Sequence, residues 1–226
     1  MNVPRSVNVV LAAGGTGGHV FPAMALASEL ASRGVRATLV TDERGRTHGD
    51  GSGGIDVHCV QAGGLAGKGV FARARSVSEL GMGTWQAHRL LKRITPDVVV
   101  GFGGYASVPT MLAARMAGIK TAIHEQNAIL GRANRMLASK AAAIATSFEE
   151  TAGLPVGAAS RVSHTGMPVR PIVAAVRDRA FPPLETDGPI NILVLGGSQG
   201  AHVFSEIIPQ SLGLLPAELR RRLLAA

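Results

Sequence analysis

The stretch Val7–Pro22 reads VNVVLAAGGTGGHVFP, and it decides the fold. Val7–Ala12 is apolar with one break, which suits a strand buried on both faces. The glycines that follow, Gly14, Gly15, Gly17 and Gly18 around Thr16, form a loop that ends the strand. Beyond it the spacing predicts a helix over 21–33, with Pro22 in its first turn and Gly34 as its stop. Strand, glycine loop and helix in that order open a parallel α/β domain.

The same alternation continues outward. Apolar strands are predicted at Ala37–Thr41, Asp56–Val60, Asp97–Val100, Thr121–His124, Ala142–Thr146 and Arg161–His164. Helices are predicted at Val70–Arg93, interrupted by Gly81 and Gly83, at Val108–Ala117 and at Arg132–Ser139. Strands apolar throughout, each followed by a helix, imply a parallel Rossmann-type sheet covered on both faces, with ligands at the strands' carboxyl ends. Residues 171–189 hold four prolines and mixed charges and read as a linker. Asn191–Leu195, Gly196–Gly200 and Ala201–Leu212 then repeat the opening pattern as the first part of a second Rossmann-type domain. The expected division is 1–170, a linker at 171–189, and 190–226 as an incomplete second domain. About 37 residues after the linker are too few for a core, so a chain shortened in that domain is expected.

Composition narrows the function. Of 226 residues 46% are hydrophobic and 17% charged, which excludes a disordered chain. One cysteine, Cys59, excludes an internal disulfide and a multi-cysteine metal site. No apolar run reaches the roughly 18 residues of a membrane span, and the first ten residues do not read as a secretory signal. The net charge of +8 suits a phosphorylated ligand, an anionic membrane or nucleic acid. Nucleic acid is not expected, because no binding motif appears and aromatics are 4%. Much of the charge lies in 65–93, where Lys68, Arg73, Arg75, Arg89, Lys92 and Arg93 face one acid, Glu79. Leu65, Val70, Phe71, Met82 and Trp85 are interleaved. This stretch is either a dock for anionic lipid or a solvated face over a packed helix.

Several loops carry candidate chemistry. Gly14–His19 places backbone N–H groups and a helix start where a diphosphate fits, the alternative being a tight turn with no ligand. A dinucleotide site is the rival. Gly15-Thr16-Gly17 begins its pattern but the third glycine is absent, and Asp42 would serve as the ribose-binding acid. Gly63–Gly69 (GGLAGKG) lacks the features of a triphosphate-binding loop. His124-Glu125-Gln126-Asn127 sets four polar residues at a strand end, to bind a ligand or to cap the helix near Arg132. His19 is placed to accept a proton, or merely to bond backbone at a helix start. There is no Asp-x-Asp pair and no metal-ligand spacing, so no metal or cofactor is expected.

Five motifs occur together: Gly14–His19 with Pro22, Gly101–Pro109 (GFGGYASVP), His124–Asn127 with Gly131 and Asn134, Thr165–Arg170 (TGMPVR) and Gly196–Ala201 (GGSQGA). In that order they resemble the MurG-type peptidoglycan N-acetylglucosaminyltransferases along essentially the whole chain. The resemblance implies a two-domain GT-B fold. It implies inverting transfer of N-acetylglucosamine from UDP-N-acetylglucosamine to undecaprenyl-diphosphoryl-N-acetylmuramoyl-pentapeptide, on the cytoplasmic face of the plasma membrane and without a metal. It assigns Thr16, Gly17, Gly18, Asn127, Arg170 and Ser198 to substrate binding, with His19, and second Glu125, as the base. The 65–93 stretch becomes the face turned to an anionic membrane. Met167 and Ala66 depart from the family pattern, which has Asn and Arg there. Two other readings follow from the residues: an NAD(P)-binding oxidoreductase, and an inactive fragment that keeps acceptor or membrane binding.

Overall fold

The computed structural model describes residues 7–49, 55–63, 70–181, 183, 188–196 and 201–225. The chain divides into two compact units, Met1–Ala175 and Val176–Ala226.

The first unit is built on a seven-stranded parallel sheet. Its strands are β1 (Asn8–Ala12), β2 (Arg36–Thr41), β3 (Asp56–Cys59), β4 (Val98–Gly101), β5 (Lys120–Glu125), β6 (Ala143–Thr146) and β7 (Val162–His164). Their spatial order is β3-β2-β1-β4-β5-β6-β7, so chain direction across the sheet reverses between β1 and β4. That reversal opens a crevice at the strands' carboxyl ends. The connecting helices are α1 (Gly17–Ser32), α2 (Glu43–Gly49), α3 (Val70–Ile94), α4 (Ser107–Met116) and α5 (Arg132–Ala138). A short α6 (Pro171–Ala174) ends the unit.

Strand periodicity divides the core. Val9, Leu11 and Ala13 join Val20, Ala23, Ala27 and Phe102 on one face, with α1. Val10 and Ala12 face the other way, onto Leu90, Leu91, Met111, Ala114 and Leu137 from α3, α4 and α5. Alternate residues of one strand thus bury on opposite faces, which is why the strands read as apolar throughout.

The structure departs from the expected elements in four places. First, α1 begins at Gly17, four residues early, and Pro22 lies inside it. Glycines are weak helix formers, so the glycine loop concealed the first turn. Second, α2 is an added helix whose sequence, ERGRTHG, has no apolar stripe to betray it. Third, α3 runs 25 residues without a break at Gly81 or Gly83. A Cβ on Gly81 would meet nothing within 4 Å, whereas Gly83 lies against the carbonyl of Gln61. Fourth, the strand expected at Asn191–Leu195 is only β8 (Ile190–Ile192). Its described parallel partner, β9 (Leu223–Ala225), is three residues long.

The second unit links β8 and β9 through α7 (His202–Gly213) and α8 (Ala217–Arg222). No described residue of this unit is buried.

Candidate active site

The loop after β1 turns sharply at Gly15, where φ is +49°. Its amides are partly used at once: Gly14 N–H donates to Gly103 O at 3.1 Å, and Gly15 N–H to Asp42 Oδ1 at 3.0 Å. Thr16 is the N-cap of α1 in extended conformation, with no side-chain cap and no acid in the first turn. The first turn of a helix leaves its N–H groups without carbonyl partners, so Gly17 and Gly18 present a positive end suited to an anion.

A second glycine loop follows β4. Gly103 and Gly104 take φ of +85° and +73°. A Cβ on Gly104 would lie 2.9 Å from Gly14 Cα and 3.1 Å from His19 Cδ2. The two loops therefore pack backbone on backbone, with the His19 ring against them.

The third segment ends β5. His124, Glu125 and Gln126 are 4%, 1% and 7% exposed, so three of the four polar residues point inward and only Asn127 is exposed. Their polarity is met inside. Glu125 Oε1 accepts from Asn127 N–H at 3.0 Å and Asn127 Nδ2 at 2.9 Å. Its Oε2 accepts from Gly131 N–H at 2.9 Å and Asn134 Nδ2 at 2.8 Å. Burial alone would raise the pKa of Glu125. The four donors outweigh it and hold the carboxyl below its ordinary value. Burial lowers the pKa of His124, partly offset by its bond to the Gly166 carbonyl and by Glu125. The His124 ring also stacks on the fully buried Phe102, centroids 5.4 Å apart.

These segments enclose a cavity of about 310 Å³ at the crevice between β1 and β4. Among its lining residues are His19, Gly104, Tyr105, Glu125, Asn127 and Asn134. The structure thus brings His19, Glu125 and Asn127 together. Thr16, Gly17 and Gly18 stand at the start of α1 beside His19 but do not line this cavity. Arg170 approaches the same helix, its guanidinium 4.6 Å from the centre of the Phe21 ring. Gly17 makes room for that ring, since a Cβ there would lie 2.6 Å from Phe21 Cε2. Ser198 lies outside the described residues, as do Lys68, Leu65 and Ala66. Gln126 and Tyr105 were not singled out by the sequence. The only signal for Gln126 was its place in a polar run.

Asp42 is not a ribose-binding acid. It is 7% exposed, and Oδ1 accepts from both Gly15 N–H and Gly45 N–H. Arg44 Nε and Nη2 hold Oδ2 at 3.0 and 2.9 Å. Asp42 caps α2 with both oxygens engaged, which leaves the oxidoreductase reading without its ribose-binding acid. Among the described residues, no group of three or more His, Cys, Asp or Glu is placed to hold a metal ion.

On α3, Arg89 lies 4.9 Å from the centre of the Trp85 ring, and Trp85 is 54% exposed. Met82 and Val77 are exposed on the same helix, as are Lys92 and Arg93 further along it. A groove of about 510 Å³ runs between α3 and β3, lined by His58, Cys59, Trp85, Arg89, Lys92 and Arg93 among others. No described helix is long and apolar enough to cross a membrane.

Residues 9–146 match the glycosyltransferase family 28 N-terminal domain. A curated relative from Paramagnetospirillum magneticum is 54% identical over 215 residues, 95% of this chain and 58% of that protein. Another, from Rhodospirillum rubrum, is 52% identical over 223 residues, 99% of this chain and 56% of that protein. Both bear the name UDP-N-acetylglucosamine--N-acetylmuramyl-(pentapeptide) pyrophosphoryl-undecaprenol N-acetylglucosamine transferase. The crystal structure of Acinetobacter baumannii MurG superposes with a TM-score of 0.67 at 32% identity, over 93% of this chain and 58% of that one. The chain spans a little over half the length of the curated relatives it matches.

Proposed function

Because the chain belongs to glycosyltransferase family 28, we propose that it carries the acceptor half of an inverting N-acetylglucosaminyltransferase of peptidoglycan synthesis. The donor is UDP-N-acetylglucosamine, and the acceptor is undecaprenyl-diphosphoryl-N-acetylmuramoyl-pentapeptide. The observation that carries this reading is the meeting of His19, Asn127 and the glycine loop after β4 in one cavity at the sheet's crevice.

In the proposed reaction the acceptor's 4-hydroxyl oxygen bonds to C1 of the sugar. The bond from C1 to the β-phosphate oxygen breaks, and its electron pair leaves on UDP. A single displacement inverts C1. His19 takes the hydroxyl proton. The amides of Gly17 and Gly18, the Thr16 hydroxyl and the Arg170 guanidinium balance diphosphate charge. Asn127, and Ser198 in the Gly196–Gly200 stretch, take further donor contacts. Glu125, saturated by four N–H donors, positions Asn127 and the turn into α5 and does not move the proton. The basic, aromatic face of α3 docks on the anionic cytoplasmic surface of the plasma membrane, which brings the lipid-tailed acceptor to the cavity.

The test is transfer of radiolabelled N-acetylglucosamine from its UDP donor to a soluble acceptor analogue, alongside calorimetric binding of that analogue to this chain. The expected result is acceptor binding, with His19→Ala lowering any measured kcat about 100-fold. A chain that neither binds the acceptor nor transfers the sugar refutes the reading.

A further inference from the structure

His19 has two ring nitrogens, and only a bare one can take a proton. The neighbours decide which it is, through a chain of hydrogen bonds that starts far away. The carbonyl of Gly166 only accepts, so His124 Nε2, 3.1 Å from it, carries a hydrogen. A neutral His124 then has a bare Nδ1. Gln126 Nε2 lies 3.1 Å from that Nδ1 and 3.1 Å from the His124 carbonyl. Two acceptors around one atom identify it as the amide nitrogen and fix the amide's orientation. Oε1 of Gln126 therefore faces His19 Nδ1 at 3.1 Å, and an amide oxygen only accepts. Nδ1 of His19 must carry the hydrogen. Nε2 is left bare, with no hydrogen-bond partner among the described residues, on a side chain that lines the cavity.

We infer that Gln126 and His124 are positioning residues that hold His19 in its Nδ1–H tautomer and keep Nε2 free to accept a proton. Neither touches the proton that moves. The inference rests on the reading of His19 as the base. The requirement that His124 be neutral agrees with its buried position against Phe102. A histidine in the wrong tautomer retains its place and loses its function, which is why an orienting partner matters.

The tautomers are read directly from long-range proton–nitrogen correlation spectra of this chain labelled with nitrogen-15 in histidine, at neutral pH. The expected pattern is Nδ1–H with bare Nε2 for His19, and the opposite for His124. Gln126→Leu removes the acceptor and moves His19 toward Nε2–H. His124→Phe keeps a ring against Phe102, frees the Gln126 amide to turn, and lowers the Nδ1–H population. Where transfer is measurable, Gln126→Leu lowers kcat roughly tenfold or more with KM unchanged. A wild-type His19 in the Nε2–H form, or a His19 tautomer unmoved in a folded Gln126→Leu variant, overturns the inference. The base reading fails separately: undiminished transfer by His19→Ala would retire it while the spectra still report the tautomer.

Discussion

Gly83 of α3 packs directly against the carbonyl oxygen of Gln61, with no room for a Cβ between them. The helix reaches the loop after β3 only because that one residue has no side chain. Two turns of sequence logic meet here, since Gly81 on the same helix faces open space. Gly83→Ala is expected to lower stability by about 2 kcal/mol or more, because the obstacle is backbone and yields little. Gly81→Ala is expected to raise it by about 0.5–1 kcal/mol through helix propensity. Urea unfolding of both variants checks the pair, and equal effects would contradict the close approach.

Acid should weaken the first unit through two groups. His124 has its pKa lowered by burial. From an unfolded value of about 6.5 down to its folded value, the unfolded chain binds more protons, so stability falls as pH falls through that window. Glu125 is lowered by its four donors against its burial. Its contribution is present above about 4.3 and is lost as pH drops through the folded value. Unfolding midpoints measured from neutral to acid pH should show both slopes. His124→Phe should erase the upper one and Glu125→Gln the lower.

Gly17 and Gly18 are adjacent but separable. A Cβ on Gly17 collides with the Phe21 ring that supports Arg170, whereas one on Gly18 comes no nearer than 4.0 Å to Thr16 Oγ1. Gly17→Ala should therefore shift Phe21 and disturb the fold locally. Gly18→Ala should leave stability unchanged or slightly higher. Any loss of ligand affinity in Gly18→Ala then reports contact with the ligand itself, by calorimetry with UDP-N-acetylglucosamine and with the acceptor analogue.

The exposed face of α3 should bind anionic vesicles. Lys92→Ala with Arg93→Ala should weaken association by about 2 kcal/mol, roughly 30-fold at low salt. Trp85→Ala should weaken it further and also release Arg89. Vesicle sedimentation at two ionic strengths checks this. Binding indifferent to both changes would leave α3 as a solvated surface.

The parallel sheet was legible because central strands such as β1 are buried on both faces and so read as apolar runs, whereas the edge strands β3 and β7 hold no buried residue. The helices were harder. α2 has no apolar stripe, the start of α1 lies within glycines, and Gly83 marks a contact where the sequence suggested a break. The polar run His124–Asn127 pointed to a strand end that lines the cavity, but its pattern looked like four groups facing a ligand. Three are instead an internal hydrogen-bonded layer. Asp42 likewise looked available and is a helix cap. The link between His19 and Gln126 spans 107 residues and is created by strand order alone, so no local pattern announces it.

The meeting of the glycine loops has a consequence for inheritance. At Gly14 and Gly104 even one added methyl group would press on the opposing backbone. Gly18 at the helix start and Gly81 on α3 meet no such obstacle at an ordinary φ. Drift is therefore closed where the two loops meet and open at those two positions. A library of random variants selected only for folding should keep glycine at 14 and 104 while letting 18 and 81 wander. Any glycine held at 18 in a library selected for activity then marks what the ligand demands over and above the fold.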